Sequence, residues 1–273
     1  MVSSWSIAAM VFTLAAAIFV PAILLAVLCA AKILPWRSAV AGFFLYAFFQ
    51  TCMRLPLLWL AYRTPGLQRL AYSAAGSACL MAFSAALAEA GARLAGGWFL
   101  GRGGRRLSAR DALGYGIGHC IAETFFVMGI ASFTNLALAF ALNNAGLAGY
   151  SQAFGQQAAI EVYQTLTNTP SIQFAAGGLE RTAYLLIQPG LTLLVFYGLR
   201  VGRKRYIALA AGLHFLLVLG VALMQPHGLW AGECYILLAA GLIFALCQPL
   251  LRRYWRADQG NLDERAEQKK ESP

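Results

Sequence analysis

The chain alternates long apolar runs with short polar breaks. Seven runs, over residues 5–31, 39–61, 71–99, 111–141, 180–199, 206–224 and 229–250, approach or exceed the roughly 20 residues that a helix needs to cross a bilayer. Inside each run the apolar residues are continuous and rich in Ala and Leu. A membrane-barrel strand would instead alternate apolar and polar positions. The pattern predicts an all-α, polytopic transmembrane helix bundle of seven or eight spans. One transmembrane helical domain is expected over 1–250. Residues 251–273 form a charged, apolar-poor tail, expected to be disordered.

Two stretches need separate treatment. Segment 146–178 is too long for a simple connection, and its middle, from Ser151 to Leu166, carries helix-forming residues with a mixed face. It is expected to form an external or re-entrant helix. At the N-terminus no basic residue precedes the first run. That run also exceeds the roughly 7–15 apolar residues of a signal-peptide core. It is expected to be a retained first span, although "LCAAK" at 28–32 has a weak likeness to a cleavage site.

Composition sharpens the class. Of 273 residues 60% are hydrophobic and 12% charged, about half the charged share of a soluble domain; mean hydropathy is +0.63. A net charge of +10 would suit a nucleic-acid partner, but the basic residues sit in short loops, where they set topology. Lys32 and Arg37 follow the first run; Arg102, Arg105, Arg106 and Arg110 follow the third. Arg200, Arg203, Lys204 and Arg205 follow the fifth, and Arg252, Arg253 and Arg256 the seventh. Stretches 142–179 and 225–228 contain no Lys or Arg. This alternation places the N-terminus outside and the C-terminus in the cytoplasm, with Arg63 and Arg69 on the less basic side. The expected partner is the lipid bilayer, with no nucleic acid. Cys29, Cys52, Cys79, Cys120, Cys234 and Cys247 are scattered singly, without a C-x-x-C, as buried free thiols would be.

Against this background the ionisable residues inside the runs stand out, because each costs a few kcal/mol to place in a bilayer (~3 kcal/mol on insertion scales). They are Arg54, Glu89, Arg93, His119, Glu123 and His214, with Glu180 and Arg181 at the start of the fifth run. His227 lies in a loop. Glu89 and Arg93 are four residues apart, as are His119 and Glu123, so each pair shares a helix face. At 1.5 Å per residue, His119 lies about 13 Å beyond Arg110, His214 about 13 Å beyond Arg205, and Gln188 about 18 Å from Arg200. Glu89 lies about 12 Å from Gly97. Four helices therefore bring polar groups to a similar depth, in the cytoplasmic half of the bilayer.

Several chemistries fit this set. Glu89 with Arg93 could be a structural ion pair, and an intramembrane histidine could be an interhelical hydrogen bonder. As a reactive set, a carboxylate in a low-dielectric site can take a proton from water. Two imidazoles and a carboxylate (His119, His214 and Glu123) could hold Zn²⁺ with one position open. The imidazoles could equally position water and an oxyanion without metal, and no H-E-x-x-H is present. Buried His and Glu would also suit a small-solute or proton-coupled transporter. Arg54 precedes "LPLLWL" and is expected to be structural, as is the Glu180–Arg181 pair. Gly114, Gly116 and Gly118 let helices approach closely; no strand precedes them, which argues against a phosphate loop. Cys120 projects about 100° away from His119.

Four stretches together, "LAEAGARL" (87–94), "GYGIGHCIAE" (114–123), "ERTAYLLIQPGLTLLV" (180–195) and "AAGLH" (210–214), resemble the YhfC family of intramembrane metalloproteases. That family is distantly related to the CAAX prenyl proteases and other glutamate-dependent membrane peptidases. The resemblance covers roughly residues 5 to 225, and G-x-G-H-x-x-x-E is its most specific part. It implies Glu89 as the catalytic glutamate supported by Arg93, and His119 and His214 as metal-binding or water-positioning residues with Glu123 beside them. It also implies an integral membrane protein of a bacterial plasma membrane. The substrate implied is a membrane-embedded or membrane-proximal peptide cut near the cytoplasmic surface. Two departures stand out: Glu89-Ala90 where the family has paired acids, and Gln188 where it has a histidine seven residues after the Glu-Arg arginine. Glutamine is a poor zinc ligand but a good hydrogen bonder. Here it would assist the oxyanion or the substrate backbone. A catalytically inactive peptide-binding, immunity or sensor protein on the same scaffold is the competing expectation.

Overall fold

Among the described residues, seven helices are long and apolar enough to cross a membrane. They appear in a computed structural model that describes the backbone of residues 1–271 and the side chains of residues 1–259. In chain order the helices are α1 (Ser4–Ala30), α2 (Trp36–Arg63), α3 (Pro65–Tyr72), α4 (Ala74–Leu100) and α5 (Ala109–Phe154). They continue as α6 (Gln156–Asn168), α7 (Ser171–Arg200), α8 (Lys204–Met224) and α9 (Leu229–Glu271). No strand occurs among the described residues. All but α3 and α6 are spans, each matching one of the apolar runs. Helix α9 carries the chain past Arg252, with Tyr254 buried. The side chains of the tail beyond residue 259 lie outside the described residues.

The chain divides into two compact units. The first comprises Met1–Leu24 and Glu123–Ala183. Its core is Val2, Met10, Ala139, Leu142, Tyr150, Ala159 and Leu166. Here segment 146–178 is helical almost throughout. Gly146 turns the chain at φ 68° inside α5 and Gly155 at φ 88° before α6, backbone angles that a side chain disfavours. Asn143 clamps the chain start: its Oδ1 accepts from the Val2 N–H at 2.8 Å and its Nδ2 donates to the Val2 carbonyl at 3.0 Å. Pro21 has no N–H, which deprives the carbonyl four residues back, that of Ala17, of its helical partner. The Thr124 hydroxyl donates to that carbonyl at 2.7 Å, and α1 widens into a π-turn over Ala15–Phe19.

The second unit comprises Leu25–Ala122 and the chain from Tyr184 onward. Residues 187–196 of α7 are all buried, so this half-helix is central to the unit. The first half of α5 packs backbone against backbone on α2 and α7. A Cβ on Gly118 would sit 1.9 Å from the Ala39 carbonyl oxygen, and one on Gly116 would sit 2.4 Å from Pro189 Cα. The Gly-x-Gly-x-Gly run thus serves close approach, as its spacing implied. At the start of α5, Ser108 and Asp111 form a capping box. Ser108 N–H donates to Asp111 Oδ2 at 3.0 Å, and Asp111 N–H donates to Ser108 Oγ at 3.1 Å. Asp111 also holds Arg105 at 2.6 Å and accepts from Ser38 at 2.8 Å. Tyr254 of α9 donates to the Leu107 carbonyl at 2.9 Å, and Asp258 pairs with Arg200.

Candidate active site

Helix α4 supplies two charged side chains on one face. Glu89 Oε2 lies 2.9 Å from an Arg93 guanidinium nitrogen, and both residues are 2% exposed. The pairing follows from their four-residue spacing, and it brings the ions into the interior as a neutral couple. Isolated, either charge would be strongly unfavourable there.

Helix α5 brings His119 to the same carboxylate, with Nε2 2.6 Å from Glu89 Oε2. Its close seating depends on glycine: a Cβ on Gly42 of α2 would meet the Tyr115 carbonyl oxygen at 2.1 Å and the His119 backbone nitrogen at 2.9 Å. The imidazole is walled by aromatics, with the Tyr46 ring edge-on at 4.8 Å and the Tyr115 ring at 5.9 Å between centroids. Tyr115 donates to the Ala92 carbonyl at 2.6 Å, tying α5 to α4.

Helix α7 completes the holding of Arg93. The guanidinium donates to Gln188 Oε1 and, through Nε, to Thr192 Oγ1 at 3.3 Å. Thr192 in turn donates to the Gln188 carbonyl at 2.9 Å, one helical turn back. Gln188 and Thr192 are fully buried. His214 on α8 is buried too, and it lies within electrostatic reach of Glu89, Arg93 and His119. Nδ1 of His119 and Nδ1 of His214 are both buried without a hydrogen-bond partner.

Helix α2 contributes a residue that sequence reasoning passed over. Gln50 Nε2 donates to Glu89 Oε1 at 3.1 Å, and Gln50 Oε1 accepts from Arg54 at 3.1 Å. Arg54 also donates to Ser84 Oγ at 3.2 Å. Gln50 and Arg54 lie on the π-turn Phe49–Arg54, just before Pro56, whose missing N–H loosens the helix there. The signal was present: an amide and a guanidinium four residues apart in "QTCMR", beside a proline, inside an apolar run.

The structure thus joins Glu89, Arg93, His119 and Gln188 by direct contacts and sets His214 within electrostatic range. Glu123 belongs to the first unit and is buried there. Glu180 and Arg181, also in the first unit, pair with each other.

Three donors hold Glu89. Gln50 takes Oε1, while Arg93 and His119 take Oε2. A divalent cation on Oε2 would stand against a guanidinium held at that same oxygen, an unfavourable contact in a low dielectric. Gln188 in turn presents an amide, a poor zinc donor, and its oxygen is taken by Arg93. Among the described residues no group of three or more His, Cys, Asp or Glu side chains is placed to hold a metal ion. Glu89 Oε2 and Gln188, held in this way, therefore do not fit as ligands of a resident zinc ion.

Comparison with known proteins agrees with the membrane architecture. An uncharacterized membrane protein YhfC of Bacillus subtilis (strain 168) is 30% identical over 138 residues, which cover 50% of this chain and 53% of that protein. The chain thus spans about half the length of that relative. No solved structure matches the chain. A family model described as YhfC intramembrane metalloprotease matches residues 9–237; with its seven apolar spans, the chain is an integral membrane protein belonging to the YhfC family.

Proposed function

We propose that this protein is an intramembrane endopeptidase that hydrolyses a peptide bond near the cytoplasmic membrane surface. The observation that carries the reading is the buried Glu89 carboxylate, oriented by three fixed donors and in 2.6 Å contact with an imidazole from another helix. Each carboxylate oxygen has two lone pairs. Oε1 gives one to Gln50 and keeps one for water. Glu89 acts as general base: it takes a proton from that water, and the resulting hydroxide adds to the scissile carbonyl carbon. His119, whose Nε2–H is given to Glu89, accepts from the water through Nδ1, and His214 donates its ring N–H to the developing oxyanion. Glu89 then passes its proton to the amide nitrogen as the C–N bond breaks, leaving a carboxylic acid and an amine. Arg93, anchored by Gln188 and Thr192, keeps Glu89 in place. Gln188 helps with the substrate backbone or the oxyanion.

This mechanism works without a metal, in keeping with the poor fit of the donor set. Its test is cleavage of membrane-inserted reporter peptides by the purified protein, with Glu89→Gln and His119→Ala alongside and metal content measured. Cleavage by the wild type and its loss in both variants is the expected result.

A second reading is supported by Gln188. Where the family resemblance expects a histidine, this chain has an amide locked to Arg93. A catalytically inactive membrane-peptide-binding, immunity or sensor protein would need only the scaffold. Absence of cleavage by the wild type, with no bound metal, would select it; solute flux abolished by the same changes would select a transporter.

A further inference from the structure

Away from these groups, two concavities adjoin in the second unit, where α2 begins and α4 and α7 end. One is a cleft of about 530 Å³, lined by Arg105, Arg106, Arg200 and the ends of α4 and α7. The other is an apolar groove of about 730 Å³ between α2 and α4, lined by Trp36, Val40, Phe44 and Phe99 among others. Trp98 and Arg105 line both, so the two are adjacent.

The cleft is built for an anion. Asp111 fixes Arg105, and Asp258 fixes Arg200. Arg106 also lines the cleft, Arg37 stands on the groove wall and Arg102 stacks 3.9 Å over the Trp98 ring. Among the described residues Arg37 and Arg102 leave positive charge in excess whatever Arg106 contacts, and Arg105 and Arg200 are already held in position.

The groove is built for a chain of carbons. Phe44 and Trp98 are each 65% exposed, and Trp36 and Phe99 are exposed beside them. Trp36, Trp98 and Phe99 lie at the ends of two spans, where Trp and Arg side chains mark the headgroup level of a bilayer, and Phe44 lies about two turns further along α2. A free anion would leave the groove empty, and a neutral hydrocarbon would make no use of the guanidiniums.

We propose that cleft and groove together form one binding site for an anionic phospholipid. Its phosphate sits among Arg105, Arg106 and Arg200, and one acyl chain lies along α2 and α4. Trp98 stands at the junction of head and chain. A zwitterionic lipid brings a trimethylammonium group into the same arginine cluster and is disfavoured. This inference is independent of the proposed catalysis, and its test reads no activity.

The experiment measures thermal unfolding of the purified full-length protein in detergent micelles. Phosphatidylglycerol, phosphatidylcholine with the same acyl chains, or soluble glycerol phosphate is titrated in, and native mass spectrometry counts retained lipid. Phosphatidylglycerol is expected to raise the unfolding temperature saturably and to survive as a one-to-one adduct. The other two are expected to do neither. Arg106→Gln and Phe44→Ala, both at exposed positions, should each weaken the phosphatidylglycerol effect, the arginine change by about fivefold. Arg203→Gln removes one charge from a loop outside the cleft and should leave the effect unchanged. Equal response to the two lipids would overturn the proposal. So would a glycerol phosphate effect as large as that of the lipid, or a loss in Arg203→Gln equal to that in Arg106→Gln. Full retention of the effect in both test variants would relocate the lipid and equally reject the site.

Discussion

Gln50 Nε2 donates to Glu89 Oε1 at 3.1 Å, so an amide from α2 orients a buried carboxylate on α4. The amide's own orientation is set from behind by Arg54, which donates to Gln50 Oε1. An arginine thus acts on the carboxylate from a distance, through a side chain that can donate only when its oxygen points the other way.

Replacing Gln50 by Leu removes that donor while keeping the helix. A hydrogen bond to a charged group contributes about 1.5–3 kcal/mol. Cleavage of a reporter peptide should therefore fall by about 10- to 100-fold, and Gln50→Asn should recover only part of it. Unchanged cleavage would show that Arg93 and His119 hold Glu89 unaided.

The ion pair on α4 should behave as a unit. Arg93→Leu alone leaves a buried carboxylate short of its cation and should cost about 3–5 kcal/mol of stability. Removing both, as Glu89→Leu with Arg93→Leu, should cost less than the sum of the single changes. Denaturant unfolding of the four proteins in one detergent measures the coupling. Additive costs would mean the two charges do not depend on each other.

Two glycine-to-alanine changes should differ in sign. In a helix such a change ordinarily stabilises by up to about 1 kcal/mol. At Gly212 of α8 an added Cβ meets nothing within 4 Å, and stability should stay level or rise. At Gly118 it would meet the Ala39 carbonyl oxygen at 1.9 Å. That variant should lose at least about 2 kcal/mol as α5 is pushed from α2. Equal unfolding temperatures for the two variants would contradict the close approach.

The donor set predicts indifference to chelation. Dialysis against a strong chelator should leave both unfolding temperature and reporter cleavage unchanged, and elemental analysis should find less than one metal ion per chain. A stoichiometric ion whose removal lowers both would mean that Glu89 exchanges Arg93 and His119 for a cation.

The fold was largely legible because bilayer thickness leaves little choice. A run of apolar residues long enough to cross must be a helix, and all seven predicted runs correspond to helices of the right length. The meeting of Glu89, Arg93, His119 and Gln188 was approachable for a related reason. Helical rise converts sequence position into depth, and few ionisable groups lie at that depth. Gln50 was missed because it lies on a π-turn, which shifts the helical phase from the one that the sequence spacing implies. Segment 146–178 lacked the single apolar face that would have given its two glycine-marked turns, at Gly146 and Gly155. Nor could the division of the chain into two units be foreseen. Its boundaries, near Leu24, Ala122 and Ala183, fall inside continuous helices, where no linker composition announces them.

The four-residue interval between Glu89 and Arg93 also bears on how the protein is made. Helix α4 is among the least hydrophobic spans, with a mean hydropathy of 1.3 over its most apolar window. It leaves the ribosome before α5 and α7, which later surround its charges. Because acid and base occupy adjacent turns of one helix, they can neutralise each other inside the translocon with no help from segments not yet synthesised. Moving either charge to the far side of α4 would preserve the composition and abolish that self-sufficiency, and the nascent span would then enter the lipid with two separate ions exposed.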